Sequence, residues 1–291
     1  MQPGRESRTA EFVALFRALE TVQPASERLF SDPLAVSFLG RRLQACVAFA
    51  RLPGVGRLVP ALLDRRWPGP RPSAVARTRQ IDDWVQAALD RGLDQLVLLG
   101  AGYDSRAYRL RGVRQVRAFE VDHPATQAVK RRVVEELFGT VPAHARFVPV
   151  DFDQDELAPA MAAAGIEAAR RTYVVWEGVL AYLTPGAVDA TLRWAASLSG
   201  PGSELAFTYV HRGLLDGSVH FPHADPWVNS VRAAGEPFVF GLDPESLDDF
   251  LAERGWRLLE DLSTTEALAQ HGRDVRRVPS FYRIARAAVG D

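Results

Sequence analysis

Apolar residues recur at helical spacing over 8–20 and 41–50, and "SDPLA" (31–35) reads as a turn leading into a helix start. The breaker "WPGPRPS" (67–73) separates this helical region from an amphipathic stretch over 74–92, closed by Gly92. From 94 onward short apolar runs alternate with helical patterns. "DQLVLLG" (94–100), "QVRAFEVD" (115–122), "ARFVPVD" (145–151), "RTYVVWEG" (171–178) and "SELAFTYV" (203–210) read as strands. Helices are expected near 104–110, 124–138, 154–164 and 185–199. This alternation predicts an α/β fold, a mostly parallel sheet with helices on both faces. Ligands of such sheets bind beyond the carboxyl ends of the strands.

The rhythm breaks over 211–242, where His, Pro, Gly and aromatic residues lack a clean period, so this segment is expected to be a lid insertion. A helix over 244–253 and the strands "WRLLEDL" and "SFYRIARAA" complete seven strands, the last pair antiparallel. The expected organisation is a helical region over 1–72 and a sheet domain over 73–291.

Each of the first four strands ends in a glycine turn or an acid: Gly100-Ala101-Gly102, then Glu120 and Asp122, Asp151-Phe152, and Glu177-Gly178. Four such junctions in succession point to one shared site. Gly100 and Gly102 let backbone approach a ligand without a Cβ in the way. A dinucleotide fingerprint needs a third glycine at 105, where this chain has Ser105, and Asp104 beside the turn disfavours a pyrophosphate. The Gly-rich phosphate loop ending in Gly-Lys-Ser/Thr is absent as well. Glu120, twenty residues past Gly100, is suited to accept from both ribose hydroxyls. Asp151 suits an adenine amino group, with Phe152 offering a backbone N–H or an apolar face. Adenosine without phosphates fits the set, and acids are favourable around a sulfonium and an amine. That describes S-adenosylmethionine.

Composition narrows the field further. The 291 residues are 47% hydrophobic and 24% charged, ordinary for a globular chain. The net charge of −1 gives no footprint for nucleic acid or an anionic membrane, and no apolar run is long enough to span one. Charges interrupt the first apolar stretch, which argues against a secretory signal and for a cytoplasmic protein. Cys46 is the sole cysteine, which excludes an internal disulfide and a multi-cysteine zinc site; no metal is expected. Lys130 is the only lysine, which reads as compositional bias toward arginine.

The segments "RLFSDPLA" (28–35), "ARTRQIDDWV" (76–85), "LLGAGYDSRAYRL" (98–110), "FEVDHPATQAVKR" (119–131), "VDFDQDEL" (150–157) and "WEGVLAYLTP" (176–185) together resemble the leucine carboxyl methyltransferase family. The likeness is strongest to its bacterial branch, which includes carboxyl methyltransferases of polyketide pathways. The resemblance implies a class I methyltransferase fold with an N-terminal helical cap. It implies that Arg77 pairs with the methionyl carboxylate of S-adenosylmethionine. It puts Gly100, Glu120, Asp122, Asp151, Phe152 and Glu177 on cofactor positions, with Ala101, Gly102, Val121 and Gly178 beside them. It also matches Asp104 and Arg106, expected to form a mainly structural ion pair. Phosphatase-directed members carry a lysine near the N-terminus, which is missing here, so a phosphatase-tail substrate is in doubt.

The expected reaction is O-methylation of a carboxylate on a small, secondary-metabolite-like or carrier-bound acidic acceptor. Tyr182 is expected beside the transferred methyl group, and Tyr209, His211 and Arg212 against the acceptor. The alternative is methylation of a hydroxyl or phenol, with a lid histidine (His211, His220 or His223) as general base. A non-catalytic or NAD-binding domain is the third reading, disfavoured by the Tyr-Asp continuation of the turn. Neither the acceptor's identity nor the oligomeric state is legible in the chain.

Overall fold

The apolar runs become the strands of one seven-stranded sheet in a computed structural model that describes residues 8–52, 55–152 and 154–290. The strands are β1 Gln95–Leu99, β2 Arg117–Asp122, β3 Ala145–Pro149, β4 Thr172–Trp176, β5 Glu204–Val210, β6 Trp256–Ser263 and β7 Tyr282–Val289. β1 and β4 are buried at every position, as strands covered on both faces must be. The strand order is β3-β2-β1-β4-β5-β7-β6. The first five strands run parallel, and β7 is antiparallel to both β5 and β6. The order reverses between β1 and β4, where an open α/β sheet forms its ligand crevice.

Among the described residues twelve α-helices accompany the strands: α1 Arg8–Thr21, α2 Arg41–Ala50, α3 Leu58–Arg66, α4 Pro70–Asp90, α5 Arg106–Arg109, α6 Pro124–Phe138, α7 Leu157–Ala163, α8 Pro185–Leu198, α9 Arg212–Asp216, α10 Asp225–Ala233, α11 Leu247–Ala252 and α12 Thr264–Gln270. None of them is long and apolar enough to cross a membrane. Strand alternation sorts the core into two layers. Leu96, Leu98, Ala118, Val175, Ala206 and Ile284 face α1, α4 and α12. Val97, Leu99, Val121, Trp176, Phe207 and Tyr209 face α7, α8 and α11. The N-terminal helices share the first layer, so their core is continuous with that of the sheet.

Three local readings change. α4 begins at Pro70, not after the breaker, because proline in a first turn forfeits an N–H that has no helical partner anyway. Helices α3 and α12 were not expected; α12 starts with a Ser263–Glu266 capping box. The lid segment is more regular than its composition implied. It contains α9 and α10, and the chain returns to the sheet through an isolated bridge, His211–Leu242.

Candidate functional site

The chain leaves β1 through Gly100 at φ +64° and Gly102 at φ +40°. A Cβ on Gly100 would sit 2.1 Å from Val179 Cγ2, so only glycine lets the turn lie this close to the segment after β4. Ala101 N–H donates to the Val121 carbonyl at 2.9 Å, and Gly102 N–H donates to Asp122 Oδ2. The turn is thereby tied to the end of β2. Asp122 Oδ1 accepts from His123 N–H at 2.6 Å. Burial raises the Asp122 carboxyl above its usual range, against the pull of those two N–H groups and of Lys130. His123 also caps α6, accepting from Ala125 N–H.

Glu120 lies elsewhere. Its carboxylate is fully buried, with Tyr108 Oη donating to Oε2 and Lys130 Nζ 2.9 Å from Oε1. Burial pushes its pKa up despite Lys130. Register explains the difference: Glu120 pairs with Leu98 inside the ladder, whereas Asp122 lies past the last β1–β2 pair, Leu99–Val121. The ribose-facing role expected of Glu120 therefore does not fit its place, and the acid at the open strand end is Asp122. Lys130 further donates to the Ala101 carbonyl at 3.3 Å. The chain's one lysine braces the glycine turn from below, a role its reading as compositional bias missed.

Across the sheet, Glu177 follows β4 between two arginines. Arg77 Nε donates to its Oε1 at 2.8 Å and Arg106 Nη1 to its Oε2 at 2.7 Å. Burial works to raise the Glu177 pKa, but Arg106 and then Arg77 outweigh it and hold the carboxylate ionised. Arg106 also binds Asp82 at 2.8 Å and Asp104 at 2.6 Å. The Asp104 carboxyl is pulled down to about 2, Arg106 overcoming its burial with help from Lys130. Arg109 holds Asp82 through both terminal nitrogens, and Ser105 Oγ donates to Asp32, which Arg17 also binds. Ser105, which marked the missing third glycine, thus joins the turn to the "SDPLA" segment. Gly178, at φ +75°, donates its N–H to Thr208 Oγ1 at 2.8 Å.

Arg77 is itself buried, its guanidinium carbon 5.0 Å from the centroid of the Tyr282 ring. Its Nη groups have no acceptor among the described residues. Asp151 and Phe152 follow β3, with Asp151 half-buried and its N–H bonded to Asp155. His123 Nε2 stands 3.8 Å from Asp151 Oδ2, so these two strand ends adjoin.

Beyond β4 and β5 the lid forms an aromatic cluster. Trp227 stacks on Tyr282 at 5.3 Å, and Phe238 lies 5.6 Å from the Tyr182 ring. Burial raises the Tyr182 hydroxyl pKa, with Tyr282 and Glu236 adding to it, so the phenol stays protonated. His211 lies at the edge of this cluster, 5.2 Å from Phe221, with Nδ1 accepting from Gly213 N–H as the cap of α9. Arg212 is exposed. Tyr209 does not join them. It is fully buried on the opposite sheet face, its hydroxyl donating to Asp261 at 2.9 Å and accepting from Arg283 at 3.0 Å. A two-residue period sends Thr208, not Tyr209, toward Gly178.

A family model described as leucine carboxyl methyltransferase matches residues 10–196. A protein of Frankia alni is 36% identical over 220 residues, covering 74% of this chain and 73% of its own. One of Streptomyces coelicolor is 34% identical over 289 residues, covering 96% and 92%. Both are named, provisionally, as S-adenosyl-L-methionine-dependent methyltransferases. Among solved structures, a protein of Thermobifida fusca provisionally described as a methyltransferase aligns over 100% of this chain and 97% of its own, with TM-score 0.61 at 15% identity. A DUF574 family protein of Streptomyces avermitilis aligns over 94% and 100%, with TM-score 0.53 at 14% identity. At those identities the structures speak for the fold, while the family match covers well over half of the sequence. The chain belongs to the leucine carboxyl methyltransferase family and is an S-adenosylmethionine-dependent methyltransferase.

Proposed function

We propose that the protein methylates a carboxylate of a small acidic acceptor, giving an ester. The observation that carries the cofactor side of the reading is Arg77: a buried guanidinium whose Nε is committed to Glu177 while its Nη groups have no acceptor among the described residues. That geometry suits a cofactor carboxylate. The glycine turn after β1, which Gly100 lets lie against Val179, and the acids at the ends of β2, β3 and β4 fit the rest of S-adenosylmethionine. In this reading Asp122 takes the ribose hydroxyls, Asp151 and Phe152 the adenine, and ionised Glu177 faces the cationic end. Ala101, Gly102, Val121 and Gly178 shape the backbone around them. When bound, S-adenosylmethionine supplies an electrophilic methyl group on a sulfonium.

The chain's own contribution is then alignment, which can supply roughly 7–11 kcal/mol of a barrier. The aromatic lid excludes water, and the protonated Tyr182 hydroxyl orients the acceptor. A carboxylate is ionised at neutral pH and needs no base. His211 supports that choice. With Nδ1 accepting from Gly213, its neutral ring carries the proton on Nε2 and has no lone pair to spare. His220 and His223 are exposed. Its place beside the lid leaves His211, with Arg212, a contact for the acceptor rather than a base.

The test pairs carboxylic and phenolic acceptors of one skeleton. The acid should be esterified with kcat flat from about pH 6 to 9. Methylation of the phenol alone, rising through a histidine-like pKa and lost in His211→Ala, would overturn the proposal.

A further inference from the structure

The balanced net charge conceals a segregated one. Residues 41–67 hold six arginines and a single aspartate, leaving the remainder of the chain acidic. That aspartate, Asp64, is paired with Arg71 outside the segment. Arg41, Arg42, Arg51, Arg65 and Arg66 have no acidic partner among the described residues. Between these cations, α2, α3 and the residues that follow each present large apolar side chains to solvent. Leu62 is 67% exposed, Leu58 57%, Phe49 56% and Leu52 50%, and Trp67 closes the row at 37%. Five of the eleven exposed large hydrophobics among the described residues thus fall on this helical pair or directly at its ends. Scattered apolar residues on a surface need no explanation, but a cluster does.

We infer that the outer face of α2 and α3 docks on an anionic lipid surface. Phe, Leu and Trp between arginines, on short helices, is the composition of an element lying in the headgroup layer. Apolar side chains enter the acyl boundary while the guanidinium groups meet lipid phosphates, and Trp67 has the amphipathic ring that suits the boundary. A second copy of the chain fits poorly, because a two-fold contact would bring like-charged arginines together. The surface also lies near the lid: Gly69, just after Trp67, packs against Trp227 and Pro279. Docking would therefore hold the acceptor side of the site close to the membrane. The inference does not depend on which acceptor group is methylated.

The experiment is co-sedimentation of the full chain with vesicles of phosphatidylcholine containing 30% phosphatidylglycerol (~30 mol%, a strongly anionic surface) and with pure phosphatidylcholine. The protein should pellet with the anionic vesicles, less so as salt rises. Arg65→Gln/Arg66→Gln should weaken partitioning roughly thirty-fold. Leu58→Ser/Leu62→Ser should weaken it roughly tenfold or more at every salt concentration. Both variants should bind S-adenosylhomocysteine like the wild type, which shows that they are folded. Absence of pelleting, or pelleting unchanged in both variants, would overturn the inference. So would a dimer in light scattering that Leu58→Ser/Leu62→Ser dissolves. Full displacement by soluble polyglutamate, with the leucines irrelevant, would overturn it in favour of an acidic polypeptide.

Discussion

Replacing Gly100 with alanine separates a ligand cradle from an ordinary loop. Two costs follow from the structure. Holding a non-glycine residue at φ +64° costs about 1–2 kcal/mol. The new Cβ would also stand 2.1 Å from Val179 Cγ2 and 3.2 Å from Val179 Cβ, an overlap relieved only by moving one segment, for about 1–3 kcal/mol. Together they amount to roughly 2–5 kcal/mol, partitioned between fold stability and the position of the turn. Gly139→Ala is the control, since Gly139 has φ +81° but nothing within 4 Å, so only the backbone cost of about 1–2 kcal/mol applies. Calorimetric titration with S-adenosylhomocysteine and thermal unfolding read both quantities. Gly100→Ala should lower the melting temperature by several degrees more than Gly139→Ala and weaken binding at least roughly tenfold, about 1.4 kcal/mol. Gly139→Ala should leave affinity alone. Adding Val179→Ala should recover part of the Gly100→Ala loss. Wild-type affinity in Gly100→Ala, or no recovery in the double variant, would refute the close-approach argument.

Four further outcomes are expected. Asp122→Asn should weaken S-adenosylhomocysteine binding with little loss of stability, whereas Glu120→Gln should cost about 3–5 kcal/mol in unfolding experiments by stranding buried Lys130. Equal effects in both assays would show that the two acids are not distinguished by depth. Arg77→Lys keeps the charge but loses the planar fork, so KM for S-adenosylmethionine should rise more than kcat falls. A pure kcat effect counts against the carboxylate role. Asp104, lowered to about 2, contributes stability that is complete above its unfolded value near 4 and is lost as pH falls toward 2. Wild type should therefore exceed Asp104→Asn in stability by about 2 kcal/mol more at pH 6 than at pH 2, and a pH-independent gap would contradict the ion pair. Tyr209→Phe should lower the melting temperature without changing acceptor KM, because its hydroxyl serves Asp261 and Arg283.

The sheet was legible because its strands announce themselves twice, by apolar runs and by what ends them. Parallel strands buried on both faces have no polar alternation to confuse, so β1 and β4 stand out even in isolation. Helix boundaries were harder. The same prolines that break α3 from α4 also begin α4, and a local pattern cannot say on which side of Gly69 the helix starts. Lid helices α9 and α10 escaped because their apolar residues answer to tertiary partners. Trp227 packs on Tyr282, more than fifty positions away in the chain, and no window of sequence contains both.

The site divides along the same line. A strand end is a local event, so Gly100, Asp122, Asp151 and Glu177 can be picked out by position alone. Depth and facing are not local. Glu120 and Asp122 share a parity and a charge, and only the β1–β2 ladder, which ends between them, buries one and leaves the other at the rim. Tyr209 is one residue from Thr208, and the two-residue period sends them to opposite layers. The partners of Arg77 show the same limit from the other side. Its pairing with Glu177 spans a hundred positions, and Glu177 is shared with Arg106, which also holds Asp104 and Asp82. Asp104 and Arg106, two residues apart, looked like a self-contained ion pair. In the folded chain Arg106 takes one oxygen of Glu177, and that division of labour leaves the Nη groups of Arg77 without an acceptor among the described residues. A charge that looks redundant in the sequence is therefore the condition for the cofactor contact proposed for Arg77.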